Sequence, residues 1–167
     1  MSEHQPHFRF YPGAYEKDGP FEASTDVCEV CSRPCVWKYT GGIYATEEPV
    51  VCARCIANGE LGNFLGKRFS LHDIGMNGAE PSLEDEVLRR TPGVASYNPF
   101  DWPVLDGKPL AFLGYGEDKR LLASPAGRSA IKAAFEAIGQ THEGPTSYAL
   151  IFKEIDGERY CAVIDFD

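Results

Sequence analysis

The apolar positions fall into short runs with two different periods. At the C-terminus, SYALIFKEI and ERYCAVIDF are rich in β-branched and aromatic residues and are separated by Asp156-Gly157. That dipeptide favours a tight type I′ reversal, so the spacing predicts a β-hairpin. PLAFLGY over residues 109–115 predicts another strand, and HFRFYP at 7–12 a short one. The stretch that follows, YEKDGPFEASTD, reads as a Gly- and Asp-bearing loop.

A helical period appears twice. The first helix is expected at about 82–90, with Ser82 as N-cap and Asp85 three residues on. Glu84, Asp85 and Glu86 suit its positive start, Arg89 and Arg90 its end, and Thr91-Pro92-Gly93 stops it. The second is expected at about 125–138, opened by Ser124-Pro125 and closed by Gly139. Its Ile131, Phe135 and Ile138 fall at i, i+4 and i+7 and predict one buried face. Strands mixed with helices in this order predict an α+β fold, with the C-terminal hairpin in an antiparallel sheet.

Length and composition bound the rest. With 167 residues, 43% hydrophobic and 25% charged, the chain suits one ordinary globular domain or two very small ones. No apolar run approaches the roughly 20 residues of a membrane helix. The start, MSEHQPHFRF, lacks the apolar segment of a secretory signal, so a cytoplasmic protein is expected. The organisation expected is a zinc-binding region over 1–68 packed on an α+β region over 69–167, forming one compact domain overall.

Charge narrows the partners. There are 25 acidic and 16 basic residues, giving a net charge of −9. Nucleic-acid binders neutralise phosphates with Lys and Arg, so this balance argues against nucleic acid. It favours a basic partner, whose encounter an acidic surface accelerates. The acidity is spread: −3 over residues 1–26, −3 over 69–91 and −4 over 92–167, against +1 over 27–68.

Six cysteines, at 28, 31, 35, 52, 55 and 161, are many for a cytoplasmic chain, and five fall within residues 28–55. Cys28-Glu29-Val30-Cys31 and Cys52-Ala53-Arg54-Cys55 form two C-x-x-C knuckles with 20 residues between them. Each knuckle presents two thiolates from one tight turn, and two of them complete a tetrahedron around zinc at Zn–S distances of about 2.3 Å. Four thiolates leave no open position, which marks a structural and not a catalytic metal. Between the knuckles, VWKYT, Gly41-Gly42 and IYATEEPVV read as a hairpin returning the second pair to the first, as in a zinc ribbon or treble clef. A helix beginning near Cys55 favours the treble clef. Cys35 reads as a spare thiol near the site, and Cys161 as a small apolar residue buried in the terminal strand.

Catalytic motifs are not found. There is no P-loop, no G-x-G-x-x-G, no G-x-S-x-G and no H-E-x-x-H, and Gly114-Tyr115-Gly116 reads as a strand-end turn. His4 and His7 are separated by one residue and Pro6, and His72-Asp73 reads as a solvated loop. Trp102, in NPFDWP, reads as core or loop anchor. The chain is expected not to be an enzyme.

Taken together, these pieces resemble the CbrC-like family of small bacterial proteins, named for a protein linked to colicin E2 tolerance. The matching segments run in family order from about residue 7 to the end: HFRFYP, CEVC, YTGGIY, CARCIANG with NFLGKRF, RRTPG, the Trp102 region, LAFLG and TSYALIFKEIDGERYCAVIDFD. The chain departs from the family pattern at Ala53-Arg54 inside the second knuckle, at Asn58-Gly59 after it, and in SYNPFDWPVLDG around Trp102. The resemblance carries the zinc ligands over as Cys28, Cys31, Cys52 and Cys55. It implies an immunity or tolerance factor against a DNase toxin, a role that small acidic proteins fill by covering a basic active-site surface.

Three functions follow from this reading. The first is a zinc-stabilised, non-enzymatic factor that occludes a basic nuclease toxin, with Glu84, Asp85 and Glu86 as candidate partner-binding carboxylates. The second is a zinc-ribbon regulator or nucleic-acid adaptor using Arg33, Lys38, Arg54, Lys67 and Arg68. The third is a thiol oxidoreductase using Cys28 and Cys31 with Cys35, which requires a low thiol pKa and no bound metal.

Overall fold

In a computed structural model of the chain, which describes residues 4–66 and 68–166, the first strand comes from the segment that reads as loop. Strand β1 (Phe21–Val27) pairs antiparallel with β2 (Pro34–Tyr39), Phe21 opposite Tyr39. The expected partner of β2, the stretch after Gly41-Gly42, runs without a named strand but returns to β2 at its end, where Tyr39 N–H donates to Val51 O and Lys38 bridges Cys52 antiparallel. HFRFYP is not a strand either. Residues 9–16 form successive turns, with Tyr11 N–H donating to Phe8 O and Ala14 N–H to Tyr11 O.

The physical reason is an aromatic cluster. Phe8 stacks on Phe21 at 5.5 Å between ring centroids, Tyr15 stacks on Phe21 at 5.0 Å, and Tyr39 meets Phe21 at 5.7 Å. Turns place Phe8 and Tyr15 on the same side of β1, which an extended HFRFYP would not do. Offset aromatic contacts of this kind add about 0.5–1.5 kcal/mol each beyond area burial.

The same region contains α1 (Ala53–Ala57), α2 (Glu60–Leu65) and α3 (Pro81–Arg90). The apolar run after Cys52 is thus two helices. Gly59, at φ 82°, breaks them apart. α3 starts two residues earlier than Ser82 capping would place it: Glu80 is the N-cap, without a side-chain cap bond, and Pro81 takes the first turn. Thr91 ends it in extended conformation. Ile56, Leu61, Leu71 and Val87 are fully buried.

Chain contacts divide the protein into two compact units, one of Met1–Asp73 with Glu80–Ala95, the other of Ile74–Ala79 with Ser96–Asp167. A single boundary at 68/69 does not describe this division. Residues 69–73 and α3 belong with the cysteines, where Leu71 N–H donates to Leu88 O.

The second unit begins with β3 (Ile74–Gly75), parallel to β4 (Phe100–Asp101), and a short hairpin of β5 (Val104–Leu105) and β6 (Lys108–Pro109). Its main sheet is antiparallel: β7 (Ala111–Tyr115), then β8 (Ala149–Lys153), then β9 (Tyr160–Ile164). PLAFLGY is therefore split at Leu110, whose carbonyl accepts from Trp102 Nε1–H at 2.8 Å. Helices α4 (Lys119–Ala123) and α5 (Pro125–Ala137) lie between β7 and β8 in sequence. α5 opens as expected, the Ser124 side chain accepting from Gly127 N–H.

β8 is central and buried on both faces, which explains its unbroken apolar run. Ala149 and Ile151 face Ile131 and Phe135 of α5, with Leu121, Tyr160, Ala162 and Ile164 around them. Phe152 packs on Trp102 at 5.1 Å, Phe112 at 5.4 Å and Phe100 at 6.1 Å. Ile138 does not join the buried face of α5; it follows the last helical residue and stays 48% exposed.

The C-terminal hairpin is present, but its turn is not type I′. Lys153 pairs with Tyr160, Glu154 N–H donates to Arg159 O, and four residues, 155–158, make the connection. Neither Asp156 nor Gly157 takes a positive φ. The Arg159 side chain donates instead to the carboxylates of Glu154 and Asp106, which holds the longer loop. The fold is α+β, with small sheets and antiparallel hairpins, as its strands and helices predicted.

Candidate metal centre

The β1–β2 connection is itself the first knuckle. Cys28 N–H donates to Arg33 O and Ser32 N–H to Cys28 O, both at 2.8 Å, with Ser32 at φ 57° closing the turn. The second knuckle sits at a helix start: Cys52 is the N-cap of α1, and Cys55 lies in its first turn. Three contacts bring the knuckles together. Lys38 and Cys52 form an antiparallel bridge, Glu29 N–H donates to Val50 O, and Val50 N–H donates to the Glu29 carboxylate.

The result is a compact set of four thiols. The Sγ atoms of Cys28, Cys31, Cys52 and Cys55 all lie within 4.8 Å of one another, and three of the four residues are buried. Cys28 and Cys55 are 3.9 Å apart, Cys31 and Cys52 4.0 Å. A tetrahedron with Zn–S bonds of about 2.3 Å has S–S edges of about 3.8 Å, so these residues fit a tetrahedral thiolate-bound ion. Cys52 N–H also donates to Cys28 Sγ, 3.4 Å away.

The surroundings are tuned for charge. Burial raises the Cys31 pKa, but the Arg33 backbone, the Arg54 side chain and the neighbouring thiols hydrogen-bond it and together bring it down to about 6. Burial pushes Cys52 and Cys55 up, and the Glu60 carboxylate, 3.1 Å from Cys55 Sγ, adds to the rise at Cys55. A bound cation would take the place of the protons these thiols hold, so affinity must rise with pH.

A family model described as an uncharacterised protein family, UPF0167, matches residues 5–154. The chain belongs to the UPF0167 family. It is similar to UPF0167 protein PA1536 of Pseudomonas aeruginosa, 32% identical over 121 residues that make up 68% of this chain and 65% of that protein. It is also similar to UPF0167 proteins Mb2317 of Mycobacterium bovis and MT2352 of Mycobacterium tuberculosis, each 31% identical over 112 residues, 65% of this chain and 59% of theirs. The match thus spans less than two thirds of the length of these curated relatives. No solved structure matches the chain.

Other sequence-singled residues of this UPF0167 chain are placed as follows. Cys35 is buried near the site but is not among the four clustered thiols; burial first, then the nearby Cys28, pushes its pKa up to about 12. Cys161 is half-buried in β9. Asp85 bonds Arg89 at 2.7 Å and Glu86 bonds Arg9 Nε at 2.8 Å, so two of the three candidate partner-binding carboxylates hold ion pairs within their own unit. Glu84 lies in the first turn of α3. Lys38 pairs with Glu22 and Asp26, and Arg54 with Glu60, while Lys67 lies outside the described residues.

His72 corrects the expectation of a solvated loop. It is 5% exposed, with Nε2 3.0 Å from Thr91 O. His4 and His7 are exposed and His142 stacks on Phe135, so none of them joins the thiols. Trp102 is core, as read. Sequence reasoning passed over Glu29 and Glu60 and assigned Arg54 to nucleic acid, whereas these three tie the knuckles together and set their charge. The signal was their place: Glu29 and Arg54 stand inside the C-x-x-C motifs, and Glu60 stands at the start of the second short helix.

No helix among the described residues is long and apolar enough to cross a membrane.

Proposed function

We propose that this UPF0167 protein is a CbrC-like, zinc-stabilised, non-enzymatic binding factor of the cytoplasm that occludes a basic bacterial nuclease toxin. The observation that carries the metal half of the reading is the closed set of four thiols within 4.8 Å, with no water-accepting ligand position implied by its donor count. A single Zn²⁺ held by Cys28, Cys31, Cys52 and Cys55 would supply folding free energy to the first unit and no chemistry.

The partner half rests on the net charge of −9 and on the family resemblance. A basic nuclease surface would meet carboxylates spread over both units, with Glu84 on α3 the best placed of the three candidates because Asp85 and Glu86 already hold arginines. Charge complementarity of this kind acts on association rate and specificity more than on total affinity. The nucleic-acid alternative is weakened because Lys38 and Arg54 are engaged by Glu22, Asp26 and Glu60.

Recovery of the protein from its native host, with zinc measured on the same sample, tests both halves. About one zinc per chain and a co-purifying basic nuclease are the expected result. Zinc with no such partner would overturn the toxin reading and leave the metal; absence of zinc with four titratable thiols would overturn the metal and favour a thiol enzyme.

A further inference from the structure

The second unit carries a cavity of about 600 Å³ lined by Phe135 of α5, by the loop before β8, and by Glu117 and Phe166. This volume is in the range of small-molecule sites. Four aromatic rings, of Phe135, His142, Tyr148 and Phe166, share its walls with polar residues. Tyr148 and Phe166 meet at 5.4 Å and 55°, forming a corner with Phe166 left 40% exposed. His142 lies flat on Phe135 at 4.4 Å and 20°, and its Nε2 stands 3.2 Å from Gly144 O, which fixes the imidazole as a third ring.

The charge of this lining is one-sided. Glu117 is its carboxylate, Gln140, Thr146 and Ser147 are neutral polar groups, and neither Lys nor Arg is among the lining residues. An anion would meet the carboxylate without a counter-charge, and a neutral apolar ligand would gain nothing from it. A cation meets favourable partners on each side, because ring faces within about 6 Å attract it through their quadrupoles and the carboxylate attracts it directly.

We propose that this cavity binds an organic ammonium group, seated against the Tyr148–Phe166 corner and His142 with Glu117 as its counter-charge. The site is built from residues of the second unit alone and does not rest on the toxin reading. An alkylated ammonium could come from a free small molecule or from a methylated lysine of another protein; both share this chemistry.

The test is an NMR titration of the full-length, zinc-loaded protein with choline, with its uncharged isostere 3,3-dimethyl-1-butanol, and with a short peptide carrying trimethyl-lysine. Choline or the peptide should shift the ring resonances of Tyr148, Phe166 and His142 and bind at least about tenfold more tightly than the isostere. Whichever of the two binds more tightly identifies the source. Glu117→Gln, an exposed change that leaves the fold intact, should weaken the cation about fivefold without altering the isostere, and Phe166→Ala should weaken it further. Equal binding of isostere and choline, or no ring shifts up to about 50 mM, would overturn the proposal.

Discussion

Cys52 N–H and Cys28 Sγ face each other at 3.4 Å, so the backbone of one knuckle hydrogen-bonds the thiol of the other. The contact spans 24 residues and joins the helix start to the hairpin turn. It makes the two knuckles one structural unit, each holding the other's thiols in register.

The first prediction follows from that coupling. The purified protein should hold about one zinc per chain, and Cys28→Ser or Cys52→Ser should abolish stoichiometric zinc and not merely weaken it. Removing a structural metal costs folding free energy directly, so each variant should also lose at least roughly 10 °C in thermal midpoint. Metal analysis and calorimetry check it; a variant that keeps its zinc and its midpoint would sink the four-thiolate assignment.

Cys35 should behave differently. It is 2% exposed and lies outside the cluster of four thiols. Cys35→Ala should keep about one zinc per chain, costing about 1 kcal/mol for the volume lost. Loss of zinc in this variant would make Cys35 a ligand. The same residue should resist alkylation in the native protein and react once the chain is unfolded.

His72 sets an acid limb of stability. Burial holds its pKa down to about 4, against 6.5 for the free side chain. Between those values the unfolded chain takes up a proton that the folded chain refuses, so stability is full above about pH 6.5 and declines as pH falls towards about 4. The loss amounts to about 3 kcal/mol. Denaturant midpoints at about pH 7.5 and about pH 5 check the direction, with zinc content followed at each pH to separate thiol protonation. His72→Gln should flatten the profile; an unchanged slope would assign the acid limb to the thiols alone.

Trp102 anchors the split in the β6–β7 segment. Its Nε1–H donates to Leu110 O at 2.8 Å and its ring meets Phe152 edge-on at 5.1 Å. Trp102→Phe keeps most of the packing but orphans a buried carbonyl, and should cost about 1–3 kcal/mol. Trp102→Ala should cost about 3–5 kcal/mol, because the cavity left among Phe100, Phe112 and Phe152 adds to the lost transfer energy. Equal losses for both would place the energy in the hydrogen bond alone.

What could be read from the chain was what local geometry governs. Two C-x-x-C motifs are short enough that each turn fixes its own pair of thiols, so the four residues were legible before any fold was known. α5 was legible for the same reason: Ser124 caps it, Pro125 opens it and Gly139, at φ 74°, follows its end. The terminal strands were legible because their β-branched runs fit no other element.

The tertiary structure decided which segments meet, and that depends on contacts between residues far apart in sequence. β2 takes β1 as its ladder partner, because Phe8, Tyr15 and Tyr39 gather on Phe21, and only the end of the stretch after Gly41-Gly42 returns to it, at Val51 and Cys52. His72 is buried because Leu71 is drawn onto α3 through Leu88 O, which no pattern around His72 announces. Arg9 finds Glu86, and Arg159 finds Asp106, across 77 and 53 residues, so their charges are spent within the molecule. Sequence alone determined the four clustered thiols and the elements with strong local signals; long-range burial decided the strand partners, the buried histidine and which charges are held within the molecule.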